Sequence, residues 1–212
     1  HQVQAADALI GSMEASMAAQ KSLVDVDYLT LNLSAKCSIW GTRSYENREV
    51  RKSRSMFISP RAGGYYLVGD LSAAALQELS NKDKARLTTW ILRQNHLGEI
   101  AEVNEETLQK VRSQGPISFS ERVDKALRFI ANSAESLGAH VDLGSLDMYE
   151  LSPPPESHIN WLQFCASVEA SSQSEAGFLI DHLLESGLLD QPRRNLNAAK
   201  YNGLTVTPLG YM

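Results

Sequence analysis

The sequence predicts an α+β protein, mostly α, and three observations carry that prediction. Apolar residues recur at helical spacing through most of the chain, two extended stretches flank Gly63-Gly64, and two more follow the last helices. With 212 residues, 43% of them hydrophobic, the chain can bury a substantial core as one large domain or two small ones. A net charge of −5 with 21% charged residues exerts no overall pull towards nucleic acid or an anionic membrane. Any such contact has to come from a local basic patch.

The elements follow in order. Ala5 to Gln20 is rich in Ala and Met, with Leu9, Met13 and Met17 at helical spacing, and predicts an amphipathic packing helix. Leu29 to Leu33 alternates and predicts a short strand. Met56 to Val68 predicts a hairpin turning on Gly63 and Gly64. Helices are expected over Ser72 to Leu79 and over Asn81 to His96, the latter stopped by Gly98 and carrying Leu87, Trp90, Ile91 and Leu92 inward. Another runs from Asn104 and Thr107 to Gln114, ended by Gly115-Pro116. "SFSERVDKALRFIANSAESLG" is the clearest helix, capped at Ser120, striped by Val123, Leu127, Ile130 and Ala134, and stopped at Gly138.

"LSPPPESH" breaks the periodicity, because consecutive prolines exclude helix, and a domain boundary is placed there. Ile159 to Val168 and Gln173 to Ser186 then predict two helices. Leu188-Leu189 and Leu204-Thr205-Val206 predict two strands around the basic loop "DQPRRNLNAAKYNG". Helix, helix, strand, loop, strand is the order of a winged helix-turn-helix.

No apolar run approaches the roughly 18 residues that span a bilayer, so a membrane role is not expected. Cys37 and Cys165 lie far apart, and residues from His1 lack a basic start followed by an apolar stretch. An intracellular, reducing compartment, the cytoplasm, is expected. The start at His1 without an initiator Met is what a piece of a longer protein would show. So is "TPLGYM", where Thr207 and Pro208 open a helix.

The sharpest local feature is a frame without its ligands. Cys37, Trp40, Ser59 and Ala62 stand where two Cys-x-x-Cys-Gly knuckles would put cysteines, with roughly 18 residues between the inner pair. One thiol cannot make a tetrahedral zinc site, so no metal and no cofactor is expected. Apolar burial of Trp40, Phe57, Tyr65 and Tyr66 is expected to supply the cohesion instead, with Trp90 a further structural aromatic.

"SPRAGGYYLVG", "LSNKDKARLTTWILRQNHLGE", "ISFSERVDKALRFIA" and "LLESGLLD…GLTVTPLGY" together resemble the N-terminal portion of a group of uncharacterised bacterial proteins. The resemblance covers roughly Ala35 to Tyr211. It implies a cysteine knuckle or its degenerate form, a helical segment and a winged-helix-like segment. In many members the chain continues into a domain similar to nucleoside deoxyribosyltransferases and Toll/interleukin-receptor-like folds, a setting associated with antiphage or stress responses. Where members carry two Cys-x-x-Cys knuckles, this sequence has Trp40, Ser59 and Ala62. No active site carries over.

Enzyme chemistry has weak support. Arg61 with the Gly63-Gly64 turn could meet an anion, but neither GxxxxGK[ST] nor GxGxxG is present, and a hairpin turn explains the glycines better. His1, His96, His140, His158 and His182 are scattered, with no pair at i, i+4. Cys165 could pair with His158 or His182, yet between Phe164 and Ala166 it fits a small core residue. Glu185 and Asp181 fit a solvated helix face.

Basic residues fall in two places. Arg43, Arg48, Arg51, Lys52 and Arg54 lie between the knuckle positions, in a stretch expected to be a solvated loop or a surface for an acidic partner. Arg193, Arg194 and Lys200 lie in the would-be wing, where they could contact phosphate. Against DNA, the second helix of the would-be motif carries Glu175, Asp181 and Glu185.

The expected organisation is an N-terminal helix and short strand over 1–34 and a metal-free zinc-ribbon-like hairpin over 35–70. A helical bundle over 71–150 and a winged-helix-like unit over 151–212 follow. The expected function is a non-catalytic sensing, scaffolding or oligomerisation module that regulates a downstream effector domain through a protein partner or self-association. A DNA-binding regulator is the alternative, and a stand-alone nucleotide-binding or hydrolytic enzyme the weaker one. Arg61, Gly63, Gly64, Arg193, Arg194 and Lys200 are the candidate binding residues.

Overall fold

The computed structural model describes residues 35–42, 44–51, 54–69, 73–136, 138–143, 156–191 and 201–211. The expected helix at 5–20, the strand at 29–33, the prolines at 153–155, and Arg43, Lys52, Arg193, Arg194 and Lys200 lie outside the described residues. The fold is mixed α+β, with six α-helices and two small sheets among those residues. None of these helices is long and apolar enough to cross a membrane.

The chain divides into two compact units, with the break between Pro116 and Ile117. The proline stretch predicts a later boundary. The difference lies in the helix Phe119–Ser133, which buries Ala126 and Ile130 in one core with Trp161, Phe164, Leu179 and Ile180. A helix belongs to the unit that covers its apolar stripe, and here that partner lies later in the chain.

In the first unit, strands β1 (Tyr45–Arg51), β2 (Arg54–Ser59) and β3 (Gly64–Val68) form an antiparallel meander. Helices α1 (Ala73–Gln77) and α2 (Asn81–His96) then lead to β4 (Ala101–Val103), which joins β3 in parallel, and α3 (Glu105–Ser113) follows. Strand β1 occupies the charged stretch whose composition predicts a solvated loop. Among the described residues it lies at the sheet edge, pairing with β2, where polar sequence is tolerated and discourages further pairing. Arg54, counted among that basic stretch, is paired with Glu102 at 2.8 Å.

Alternation along β2 and β3 sorts the side chains onto two faces. Phe57 and Tyr66 are cross-strand partners with rings stacked at 5.4 Å, and they share a core with Leu87 and Ile91 of α2 and with Leu108 and Val111 of α3. Met56 and Leu67 are partners on the opposite face, packed with Tyr65 and Ile100.

Helix boundaries follow side-chain caps. Ser80 accepts from the Asp83 amide at 3.1 Å and Asn104 from the Thr107 amide at 2.9 Å. The helix expected to be capped at Ser120 begins two residues earlier, because Ser118 accepts from the Glu121 amide in the Ser-x-x-Glu arrangement.

Asn95 ties α2 to the sheet. Its Oδ1 accepts from the Tyr65 amide at 2.9 Å, and its Nδ2 donates to the carbonyls of Tyr65 and Ile91, each at 2.8 Å. Asn95→Ala leaves those backbone groups without this partner and is expected to cost roughly 2–4 kcal/mol in urea unfolding. Asn95→Asp is expected to be at least as costly, since it faces two carbonyls with an acceptor.

The second unit comprises α4 (Phe119–Ser133), α5 (Glu156–Ser167), α6 (Gln173–Glu185), β5 (Leu189–Asp190) and β6 (Thr205–Val206). β5 and β6 pair antiparallel, and an isolated antiparallel bridge joins Val141 to Leu204. Extended backbone from three places in the chain therefore meets beside the helices. Trp161, fully buried, stacks on Tyr201 at 5.3 Å and lies 5.8 Å from Phe164.

Candidate functional site

The two halves of the ligand-less frame fold into matching turns. In the first, the Trp40 amide donates to Cys37 Sγ at 3.4 Å and the Gly41 amide to the Cys37 carbonyl at 2.8 Å, with Gly41 at φ +67°. In the second, the Ala62 amide donates to Ser59 Oγ at 3.3 Å and the Gly63 amide to the Pro60 carbonyl at 3.2 Å, with Gly63 at φ +86°. Each turn thus has a side chain at its first position accepting from the amide at its fourth, closed by a glycine in the left-handed region. Between the turns run β1 and β2, and β3 follows the second.

Side chains of the two turns meet one another. Trp40 places its ring 3.7 Å from the Arg61 guanidinium carbon and donates its indole N–H to Thr88 Oγ1 of α2 at 2.8 Å. One side chain thereby links the first turn, the second turn and a helix. A guanidinium over an indole away from water is worth about 2 kcal/mol.

Below it, the Tyr66 hydroxyl lies 3.2 Å from Cys37 Sγ and 3.2 Å from Ser38 Oγ. A phenol has one proton to give, so at least one of those neighbours donates to it. Burial, and then Cys37, push the Tyr66 hydroxyl well above its ordinary value near 10. It stays protonated and acts as a structural group. Cys37 is the one thiol of the frame, and no cluster of three or more His, Cys, Asp or Glu that could hold a metal occurs among the described residues.

The remaining expected residues find their places. Arg61, expected at an anion-binding turn, is 4% exposed and covers Trp40. A Cβ on Gly63 would stand 3.0 Å from the Thr88 carbonyl, and one on Gly64 would stand 2.9 Å from Asn95 Oδ1. These glycines admit α2 against the sheet, and the Gly63 amide is taken by Pro60, so this turn is a packing joint and offers no open cradle for an anion. Tyr65 and Trp90 are half-buried, and Phe57 is buried. Cys165 is fully buried in the core of the second unit, whereas His182 packs its ring against Phe119 and Phe178, both exposed.

Two features of α6 escape sequence reasoning. Glu175 accepts from the amide and hydroxyl of Ser171, each at 2.7 Å, and from Arg122 of α4. It is a packing carboxylate, and its local signal is the Ser172-x-x-Glu175 cap, in which Ser172 accepts from the Glu175 amide. The second feature is the outward Phe178, signalled by the run Phe178-Leu179-Ile180, since three consecutive apolar residues cannot all face one side of a helix. Leu179 and Ile180 are buried and Phe178 is 60% exposed.

Burial pushes the Glu175 carboxyl up, but hydrogen bonds from Ser171 and the Arg122 charge outweigh it and hold the group below its ordinary value near 4.5. A depressed carboxylate stabilises the fold above the unfolded value, and that contribution is lost as pH falls through the folded one. Wild type is therefore expected to exceed Glu175→Gln by roughly 1 kcal/mol at neutral pH. The gap should close below about pH 4.5, as read by urea unfolding across pH.

In the comparisons with known proteins, no family model matches the chain, no curated protein is similar to it, and no solved structure matches it.

Proposed function

We propose that the chain is a non-catalytic scaffolding and regulatory module. It combines a metal-free, zinc-ribbon-like hairpin with a winged-helix-like unit that contacts protein, and regulates an effector domain in the bacterial antiphage or stress setting that the resemblance implies. The ribbon reading is supported by the two matching turns and by the order turn, strand, strand, turn, strand. The winged-helix reading is supported by the order helix α4, bridge at Val141, helices α5 and α6, then the pair β5 and β6, with Leu204 bridging back to Val141.

The observation that carries the choice of protein over DNA is the surface of α6, the helix in the recognition position. Between Gln173 and Glu185 it has no Lys or Arg. It presents Phe178 and Glu185 outward with Asp181 half-exposed, so its base-reading face carries negative charge and an aromatic ring. Non-catalytic service is supported by the burial of Cys37, Ser38 and Tyr66, whose polar groups are spent on one another.

The test is retention of duplex DNA by the purified chain between about 50 and 200 mM salt. The expected result is weak binding with a shallow salt slope. A slope near −0.9 per neutralised phosphate, summing over several phosphates, would replace this reading with the DNA-binding one.

A further inference from the structure

Among the described residues, the surface of the second unit carries an aromatic cluster that its core does not use. Phe119 at the start of α4 is 47% exposed and Phe178 in the middle of α6 is 60% exposed. Their ring centroids lie 6.3 Å apart, and the His182 ring stands 5.1 Å from Phe119 and 6.4 Å from Phe178. Scattered apolar side chains are ordinary on a surface. Three contiguous rings from two helices, two of them exposed, form a patch of the kind that marks interaction sites.

The patch is held rigid. Arg122, one turn after Phe119, is bonded to Glu175, one turn before Phe178, and the same carboxylate holds the Ser171 amide and hydroxyl. Ordering the patch on binding therefore costs little.

From this ridge, we propose that Phe119, Phe178 and His182 form the docking site for a cationic amphipathic helix of a partner protein. The inference rests on reading the unit as protein-binding and names the partner's chemistry. Charge complementarity selects the occupant. Asp181 and Glu185 follow Phe178 by one and two turns on a helix without Lys or Arg, so a second α6 face from another copy would meet like charge, as would a nucleic-acid backbone. Lys or Arg on a partner meets those carboxylates and the exposed ring faces together. The spacing fits a helix, because apolar side chains one turn apart are separated by about 5–6 Å, close to the separation of the two phenyl rings.

The test uses the full chain and three labelled peptides of about 18 residues. One is amphipathic with a Leu face and a Lys face, one has Glu in place of Lys, and one is the Leu/Lys composition scrambled; binding is read by fluorescence anisotropy. The Leu/Lys helix is expected to bind best, Phe178→Ala to weaken it roughly tenfold or more, and Asp181→Asn with Glu185→Gln to weaken it roughly threefold. Phe178 is exposed, so its variant should keep the wild-type unfolding curve.

Equal binding of the Lys and Glu peptides, or no effect of Phe178→Ala, overturns the proposal. A dimer that Phe178→Ala dissociates in light scattering also overturns it, in favour of a second copy. Failure of the peptides without DNA retention removes this ridge alone, whereas steep salt-dependent retention of DNA removes the protein-docking function beneath it.

Discussion

Replacing Trp40, Ser59 and Ala62 together by cysteine is expected to turn the frame into a tetrahedral thiolate site that takes one equivalent of zinc or cobalt. The two turns already donate an amide to the side chain at their first position and close on a left-handed glycine. Such turns hold a ligand pair in place before any metal arrives. What is missing is donors, since Cys37 stands alone. A structural zinc with four thiolates contributes an apparent 10–16 kcal/mol, roughly, at neutral pH.

The substitution also removes the Trp40 stack on Arg61 and its bond to Thr88, a loss of about 3–5 kcal/mol. The apo variant should therefore be less stable than wild type and regain its fold on adding metal. A thiolate-to-cobalt charge-transfer band, equilibrium dialysis and metal-dependent unfolding read the outcome. Wild type should take up no stoichiometric metal. Should the variant fold without metal and still bind none, the two turns do not face one another as a ribbon requires. Ser59→Cys with Ala62→Cys keeps Trp40 and separates that result from simple unfolding.

Trp161→Ala is expected to unfold most of the second unit. The ring is fully buried, stacked on Tyr201 at an interplanar angle of 10° and near Phe164. Truncating a buried Trp costs about 3–5 kcal/mol, and its ring contacts add about 0.5–1.5 kcal/mol each. A domain of this size has roughly 5–15 kcal/mol in total. Circular dichroism and urea midpoints should show a large loss for Trp161→Ala and a much smaller one for Trp161→Phe. Phenylalanine keeps a stacking ring and removes an indole N–H that has no hydrogen-bond partner among the described residues. A loss below about 1 kcal/mol for Trp161→Ala would mean the site collapses around the gap, contrary to a close-packed stack.

Helices were legible where local chemistry decides them. Asn81–His96 shows its apolar spacing, its Ser80 cap and the stop at Gly98, all interactions within a turn or two of the chain. Strand β1 was not legible, because its Glu, Asn and Arg read as solvent-facing loop until β2 is known to lie beside it. The two-residue pairing of β5 with β6 and the three-residue β4 are likewise products of neighbours. Phe178 could be noticed in the run of three apolar residues, but its meeting with Phe119 required the packing of α4 on α6.

Local sequence was enough to specify the mixed α+β class, the spacing of the knuckle frame and its lack of ligands, because each depends on residue identity and short-range backbone preference. Packing alone decided that Trp40 bridges Arg61 and Thr88, that Arg61 is buried and the Gly63-Gly64 turn packs against α2, and that Phe119–Ser133 joins the later helices. Those outcomes are set by which distant surfaces exclude water together, a pairing between segments that no single segment encodes.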